Sequence, residues 1–157
     1  MKFYLLTHQR ELDRKSNTGQ LVLDCLADHL TTKAERIIWD RVNPDPHLTR
    51  LIQNDQIALV YPKDASENTC VQHFENILII DSTWQEANKI YNRSAYLKHI
   101  AKFKMTDHPK SNYQLRRNQP KGGLCTAECV IEILRLKGET HLAEDLTQRF
   151  SKFNLPR

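Results

Sequence analysis

The sequence predicts an α/β protein with a mainly parallel sheet flanked by helices, and three observations carry that expectation. Short aliphatic runs such as Ile77-Leu78-Ile79-Ile80 are apolar throughout instead of alternating, as in strands covered on both faces. Between these runs lie segments with apolar residues at helical spacing, for example Leu21, Val22, Cys25 and Leu26. Strand and helix patterns alternate along the chain, as crossover connections in a parallel sheet require.

Phe3 to Thr7 reads as the first strand, and the polar stretch Arg10 to Asn17 as a loop. Asn17 or Thr18 is placed to cap a helix whose inner face carries Leu21, Val22, Cys25, Leu26 and Leu30. Arg36-Ile37-Ile38-Trp39 suits a second strand, and Asn43-Pro44-Asp45-Pro46 is turn chemistry. A short helix over Leu48 to Asn54 leads to a third strand, Gln56 to Tyr61, stopped by Pro62. Residues 63–75 are polar and irregular. After the strand ending at Ile80, a helix carries Trp84, Ala87, Tyr91 and Ala95, and Lys102 to Met105 forms another strand. Thr106 to Gly123 is a long loop of the kind that is usually functional or disordered. Ala127, Val130, Ile131 and Leu134 mark a helix ended by Gly138, and Thr140 caps a last helix with Leu142, Leu146 and Phe150.

The 157 residues suit one domain, 1–157, with no repeat and no low-complexity tract. No stretch approaches the roughly 20 apolar residues of a membrane span, and the N-terminus lacks a signal peptide's apolar region, so a cytoplasmic protein is expected. Cys25, Cys70, Cys125 and Cys129 form no CxxC pair and have no His to complete a metal set, so no metal is expected. The net charge of +4 is unevenly spread. Lys98, Lys102, Lys104, Lys110, Arg116, Arg117 and Lys121, opposed only by Asp107, give residues 98–123 a net +6, against −2 for the remainder. Such clustering is a footprint for a polyanion.

Asp81-Ser82-Thr83-Trp84 stands where a buried strand ends and a helix begins, the edge at which open α/β sheets bind ligands. No GxGxxG or GxxxxGK[ST] is present, so a cofactor must be held by other loops. Four patches share this polar, strand-end character. They are His8-Gln9-Arg10-Glu11 with Asn17-Thr18-Gly19; Tyr61-Pro62; Asp81-Ser82-Thr83-Trp84; and Tyr113-Gln114-Leu115-Arg116-Arg117 with Leu124-Cys125-Thr126-Ala127-Glu128.

In this order the patches resemble the DTW-domain family, named for its D-x-T-W motif and containing tRNA-uridine aminocarboxypropyltransferases. The chain matches H-x-x-E, N-T-G, Y-P, D-x-T-W-x-x-A, L-R and a T-x-E helix start from His8 onward. It departs in lacking an N-terminal cysteine cluster and in carrying Cys129 where Ala is usual. The resemblance implies transfer of the 3-amino-3-carboxypropyl group of S-adenosylmethionine to N3 of a uridine in tRNA, with methylthioadenosine released. It also implies a SPOUT-like sheet with a C-terminal trefoil knot, which periodicity does not show.

Carried over residue by residue, the resemblance makes Asp81 the candidate base for the uridine N3 proton. A structural alternative stays open, in which Asp81 caps the helix near Trp84. Tyr61, Pro62, Ser82, Thr83, Trp84, Leu115, Leu124, Cys125 and Thr126 are expected to hold the cofactor, with backbone N–H groups near Thr126 receiving its carboxylate. Trp84 has core packing as its competing role; His8 and Glu11, with Asn17, are placed either to line the uridine pocket or to hold the loop between them, and His8 alone reads as structural. Arg10, Arg14, Lys15, Asn17, Thr18, Arg116 and Arg117 are expected to meet RNA, the basic ones through phosphates. The uridine itself must enter a pocket flipped or single-stranded. Two rival functions remain at this stage: a SPOUT-like RNA methyltransferase, and a non-catalytic RNA-binding protein.

Overall fold

The computed structural model describes residues 1–61, 69–105, 108–116 and 123–156. Five strands, β1 (Lys2–Thr7), β2 (Lys33–Ile38), β3 (Ile57–Val60), β4 (Asn76–Asp81) and β5 (Ala101–Phe103), form one sheet in the order β2-β1-β4-β3-β5. Every neighbouring pair is parallel. The helices are α1 (Gly19–Leu26), α2 (Pro46–Gln53), α3 (Trp84–Arg93), α4 (Thr126–Leu136) and α5 (Thr140–Phe153).

The strand alternation sorts the core into two layers. Phe3, Leu5, Ile77 and Ile79 face one way and pack with Val22 and Leu26 of α1, Val130 and Leu134 of α4, and Leu146 and Phe150 of α5. Tyr4, Leu6, Leu78 and Ile80 face the other way and meet Leu48 and Leu51 of α2 and Ile90 and Tyr91 of α3. Burial on both sides is why β1 and β4 read as unbroken apolar runs. It also places a topological switch point: β1 runs into α1 on one face while its neighbour β4 runs into α3 on the other. The crevice between the carboxyl ends of β1 and β4, where Thr7 lies opposite Asp81, is where such a fold admits a ligand.

Several boundaries differ from the sequence reading. Helix α1 ends at Leu26, and Leu30 is 91% exposed rather than on the inner face. The His29 ring accepts the N–H groups of Thr31 and Thr32 through Nδ1, making a turn that leaves Leu30 at its tip. Strand β2 starts at Lys33, not Arg36, and pairs in full with β1 from Lys2. As an edge strand with polar residues turned outward, it lacks the apolar signature of the central strands. Pro46 opens α2 at its first turn, and the Asp45 carboxylate accepts the Leu48 N–H at 3.0 Å, so part of the expected turn is a helix start. Helix α3 stops at Arg93, because Ser94 leaves the helical region and Ala95 begins a separate 3₁₀ turn. The polar stretch after β1 contains a 3₁₀ turn over Gln9–Glu11, capped by His8. Strand β5 lies at Ala101–Phe103 instead of Lys102 to Met105, and Thr140 is inside α5 rather than its cap.

Candidate active site

Asp81 ends β4 and is 2% exposed. Its Oδ1 accepts the Thr126 hydroxyl at 2.8 Å and its Oδ2 faces the Thr7 hydroxyl at 3.2 Å. The Asn17 amide nitrogen lies 3.1 and 3.0 Å from the two oxygens, so one amide proton is shared between them. The other amide proton goes to Glu11 at 2.9 Å. Asn17 Oδ1 in turn accepts the Gln20 N–H at 3.0 Å and Arg36 Nη2 at 3.1 Å, which fixes the amide's orientation. Arg36 Nη2 stands 3.9 Å from Asp81 Oδ2. Burial raises the Asp81 carboxyl above the usual range; Asn17 and Thr126 draw it back, Glu11 adds to the rise and Arg36 opposes it.

The start of α1 is shaped around this carboxylate. A Cβ on Gly19 would lie 2.3 Å from Asp81 Oδ2, so only glycine lets the helix backbone approach so closely. Thr18 adds a second tie, because its hydroxyl accepts the Ala127 N–H of α4 at 3.1 Å. The N-T-G motif therefore joins β4, α1 and α4 at one point.

Glu11, fully buried, is a second carboxylate centre. It accepts Arg14 at 2.7 Å, Arg116 at 3.0 Å and Asn17 at 2.9 Å. Arg14 reaches on to Glu86 of α3 at 2.9 Å. Arg116 also donates to the Ser16 hydroxyl at 3.1 Å, and the Tyr113 hydroxyl donates to the Ser16 carbonyl. At the other end of this segment, Glu128 accepts the Ser111 hydroxyl and the Asn112 N–H at 2.7 and 2.9 Å, and Asn154 accepts the Gln114 N–H at 2.8 Å. Residues 111–116 are thus strapped across α4 and α5 onto the segment that follows β1. Burial pushes the Tyr113 hydroxyl up to about 12. Among the described residues, the buried side-chain polar atoms without a hydrogen bond are Glu86 Oε2 and Arg36 Nε.

The structure settles what caps α3. Thr83, not Asp81, accepts the Glu86 N–H, at 3.2 Å. Trp84 is half-buried and belongs to neither core cluster of described residues. Ser82 turns its hydroxyl to the Thr83 carbonyl at 3.1 Å. Tyr61 is 3% exposed, stacked on Tyr91 at 4.3 Å between ring centroids, with its hydroxyl on Asn88. Leu124 is a core residue and Leu115 is half-buried. At the start of α4, the Ala127 N–H is taken by Thr18 and the Cys125 N–H by Glu128 at 3.1 Å. These two donors are committed within the protein instead of being free for a carboxylate. Burial, with Glu128 beside it, also holds the Cys125 thiol well above its ordinary value.

Of the expected RNA contacts, Arg10 and Lys15 are exposed, whereas Asn17 and Thr18 are buried parts of the carboxylate site. Arg14 and Arg116 are engaged by Glu11 and Glu86. Lys102, counted in the basic window, is 7% exposed and donates to the carbonyls of Lys98 and Ile100, while Lys98, Lys104 and Lys110 are exposed. Pro62, Arg117 and Lys121 lie outside the described residues. Sequence reasoning did not single out Thr7, Arg36 or Glu86 for the site, and it named Gly19 only as part of the N-T-G motif; Arg36 and Glu86 carried no local signal. Among the described residues no group of three or more His, Cys, Asp or Glu side chains is placed to hold a metal, and no helix is long and apolar enough to cross a membrane.

The family model for the DTW domain matches residues 1–155. The chain belongs to the DTW-domain family. A curated relative, tRNA-uridine aminocarboxypropyltransferase 2 of Macaca fascicularis, is 23% identical over 155 residues, covering 93% of this chain and 51% of its own length. The DTW chain described here therefore spans about half the length of that relative. No solved structure is matched.

Proposed function

We propose that this DTW-domain chain transfers the 3-amino-3-carboxypropyl group of S-adenosylmethionine to N3 of a uridine in tRNA, releasing methylthioadenosine. The observation that carries the reading is the convergence of the family's motifs on one sheet edge. Residues from β1, α1, β4 and α4 meet at Asp81 in a family that includes a relative named for this activity.

The residues present suit such a cofactor in one checkable respect. The crevice edge holds a buried carboxylate oxygen, Glu86 Oε2, without a hydrogen bond among the described residues, and a half-buried indole, Trp84, that belongs to neither core cluster of described residues. Ser82, Thr83 and Trp84 at the start of α3 and Leu124, Cys125 and Thr126 at the start of α4 would hold it, with Tyr61 and Leu115 supporting from the adjoining segments. When bound, the sulfonium supplies activated carbons, and the choice among them is a matter of positioning.

Asp81 is assigned the role of organising that positioning. Its oxygens are occupied by Asn17, Thr126 and Thr7, and it is 2% exposed, which suits a carboxylate that locks neighbouring elements more than one that meets a substrate proton. Proton uptake by Asp81 during the reaction stays as the alternative that mutation decides. Arg10, Lys15, Lys98, Lys104 and Lys110 offer exposed charge for tRNA phosphates, whose contacts give affinity with steep salt dependence. Kinship with the SPOUT fold, knot included, belongs to the same proposal; the stretch between β5 and α4 that would form the knot includes residues 106–107 and 117–122, outside the described residues. The test is incubation of purified protein with unmodified tRNA and S-adenosylmethionine, followed by nucleoside mass spectrometry. Gain of an aminocarboxypropyl group on uridine supports the proposal; gain of a methyl group, or no modification with several tRNAs, overturns it.

A further inference from the structure

Three carboxylates border the crevice, and they differ in what their oxygens have left to accept. Asp81 and Glu11 are each met at both oxygens by donors from the protein. Glu86 is not. Its Oε1 takes Arg14 at 2.9 Å, while Oε2 is buried with no hydrogen bond among the described residues. The His8 ring stands beside Oε2, its Nδ1 3.9 Å away. That nitrogen already accepts the Arg10 N–H at 3.1 Å, so it presents a lone pair and not a proton. The Glu86 side chain is 13% exposed, so bulk water does not fully solvate it. A buried anionic oxygen without a donor is unfavourable, and a charged donor satisfies it best.

Glu86 also occupies a telling place. It lies in the first turn of α3, two residues beyond Trp84, and Thr83 accepts its backbone N–H, which fixes that turn against the crevice. Through Arg14 it is tied to Glu11, and through Glu11 and Asn17 to Asp81, so its position is set by the same network as the rest of the site.

We infer that Glu86 Oε2 receives the α-ammonium of the aminocarboxypropyl group, making Glu86 the residue that recognises the amino-acid end of the cofactor. The inference rests on the proposed use of S-adenosylmethionine and adds to it a residue that selects the intact donor over a nucleoside lacking the ammonium.

The test compares two ligands by calorimetry, S-adenosylmethionine and methylthioadenosine, on wild-type protein and on Glu86→Gln. The wild type binds S-adenosylmethionine more tightly, and Glu86→Gln reduces that preference by about tenfold to a hundredfold while methylthioadenosine binding is unchanged. An unchanged ratio overturns the assignment, as does loss of transfer activity with intact cofactor binding, which would make Glu86 a contact of the uridine. A variant that weakens both ligands equally shows Glu86 to be merely structural. If Glu86→Gln fails to fold, Glu86→Ala replaces it, and a ratio equal to that of the wild type overturns the inference in the same way. Wild-type protein that binds neither ligand refutes the cofactor reading itself, a result distinct from any of these.

Discussion

Replacing Gly19 by Ala perturbs the site through a single methyl group. The new Cβ would lie 2.3 Å from Oδ2, 2.7 Å from Cγ and 2.9 Å from Oδ1 of Asp81. Reaching an ordinary 3.4 Å contact requires the carboxylate to retreat by about 1 Å. Its donors, Thr126 at 2.8 Å, Asn17 at 3.0 and 3.1 Å and Thr7 at 3.2 Å, cannot all follow, since they belong to different elements. Losing two hydrogen bonds to a charged group costs about 3–6 kcal/mol. Alanine's better helix propensity returns at most about 1 kcal/mol, so the net destabilisation is about 2–5 kcal/mol. A misplacement of about 1 Å also lowers transfer roughly 100-fold. Urea unfolding measures the first quantity and nucleoside mass spectrometry of treated tRNA the second. Gly138→Ala is the control: φ there is +80° and nothing lies within 4 Å, so it loses about 1–2 kcal/mol of backbone energy and leaves transfer intact. Wild-type stability and turnover in Gly19→Ala would refute the claim that the N-T-G glycine exists to admit the carboxylate.

Asp81→Asn is expected to weaken S-adenosylmethionine binding in calorimetry as well as transfer, because the charge that Asn17, Thr126 and Thr7 gather around is gone. Intact binding with transfer down at least about 100-fold would point to proton uptake by Asp81 instead, and undiminished turnover removes Asp81 from the mechanism. Arg116→Ala leaves Glu11 with Arg14 and Asn17 only, and should cost about 1–3 kcal/mol in denaturant unfolding and speed amide exchange across residues 111–116. Unaltered exchange there would mean that the strap does not depend on this pair. Tyr113 titrates at about 12 in the folded chain against 10.0 unperturbed, so its contribution is present below pH 10 and is lost as pH rises towards 12. Thermal melts across that window should fall more steeply in wild type than in Tyr113→Phe, and parallel profiles would exclude the tyrosine.

The alternation of apolar runs and helical spacings was enough to place five strands and five helices, because burial on both faces writes itself into β1, β3 and β4. Edge strand β2 was read three residues short at its start, since Lys33, Ala34 and Glu35 satisfy pairing geometry without an apolar run. Motif order alone singled out Asp81 and Thr126, which the fold brings into contact. Their roles were not legible that way: which atom accepts from which donor depends on contacts across the fold, and the capping alternative for Asp81 fell to Thr83 only through geometry. Arg14 and Arg116 illustrate the same limit. A list of charges cannot show that Glu11, far from Arg116 in the chain, already holds both guanidinium groups.

The donors to Asp81 lie 74, 64 and 45 residues away in the chain, and the last of them, Thr126, opens a helix near the C-terminal end. During synthesis the sheet strands emerge well before that helix, so a growing chain can pair β1 with β4 while the crevice is still wet. Enclosing the carboxylate before Thr126 arrives would leave a charge short of donors in a dry environment, at several kcal/mol. The crevice therefore closes late, and its closure couples residues from opposite ends of the chain into one cooperative step.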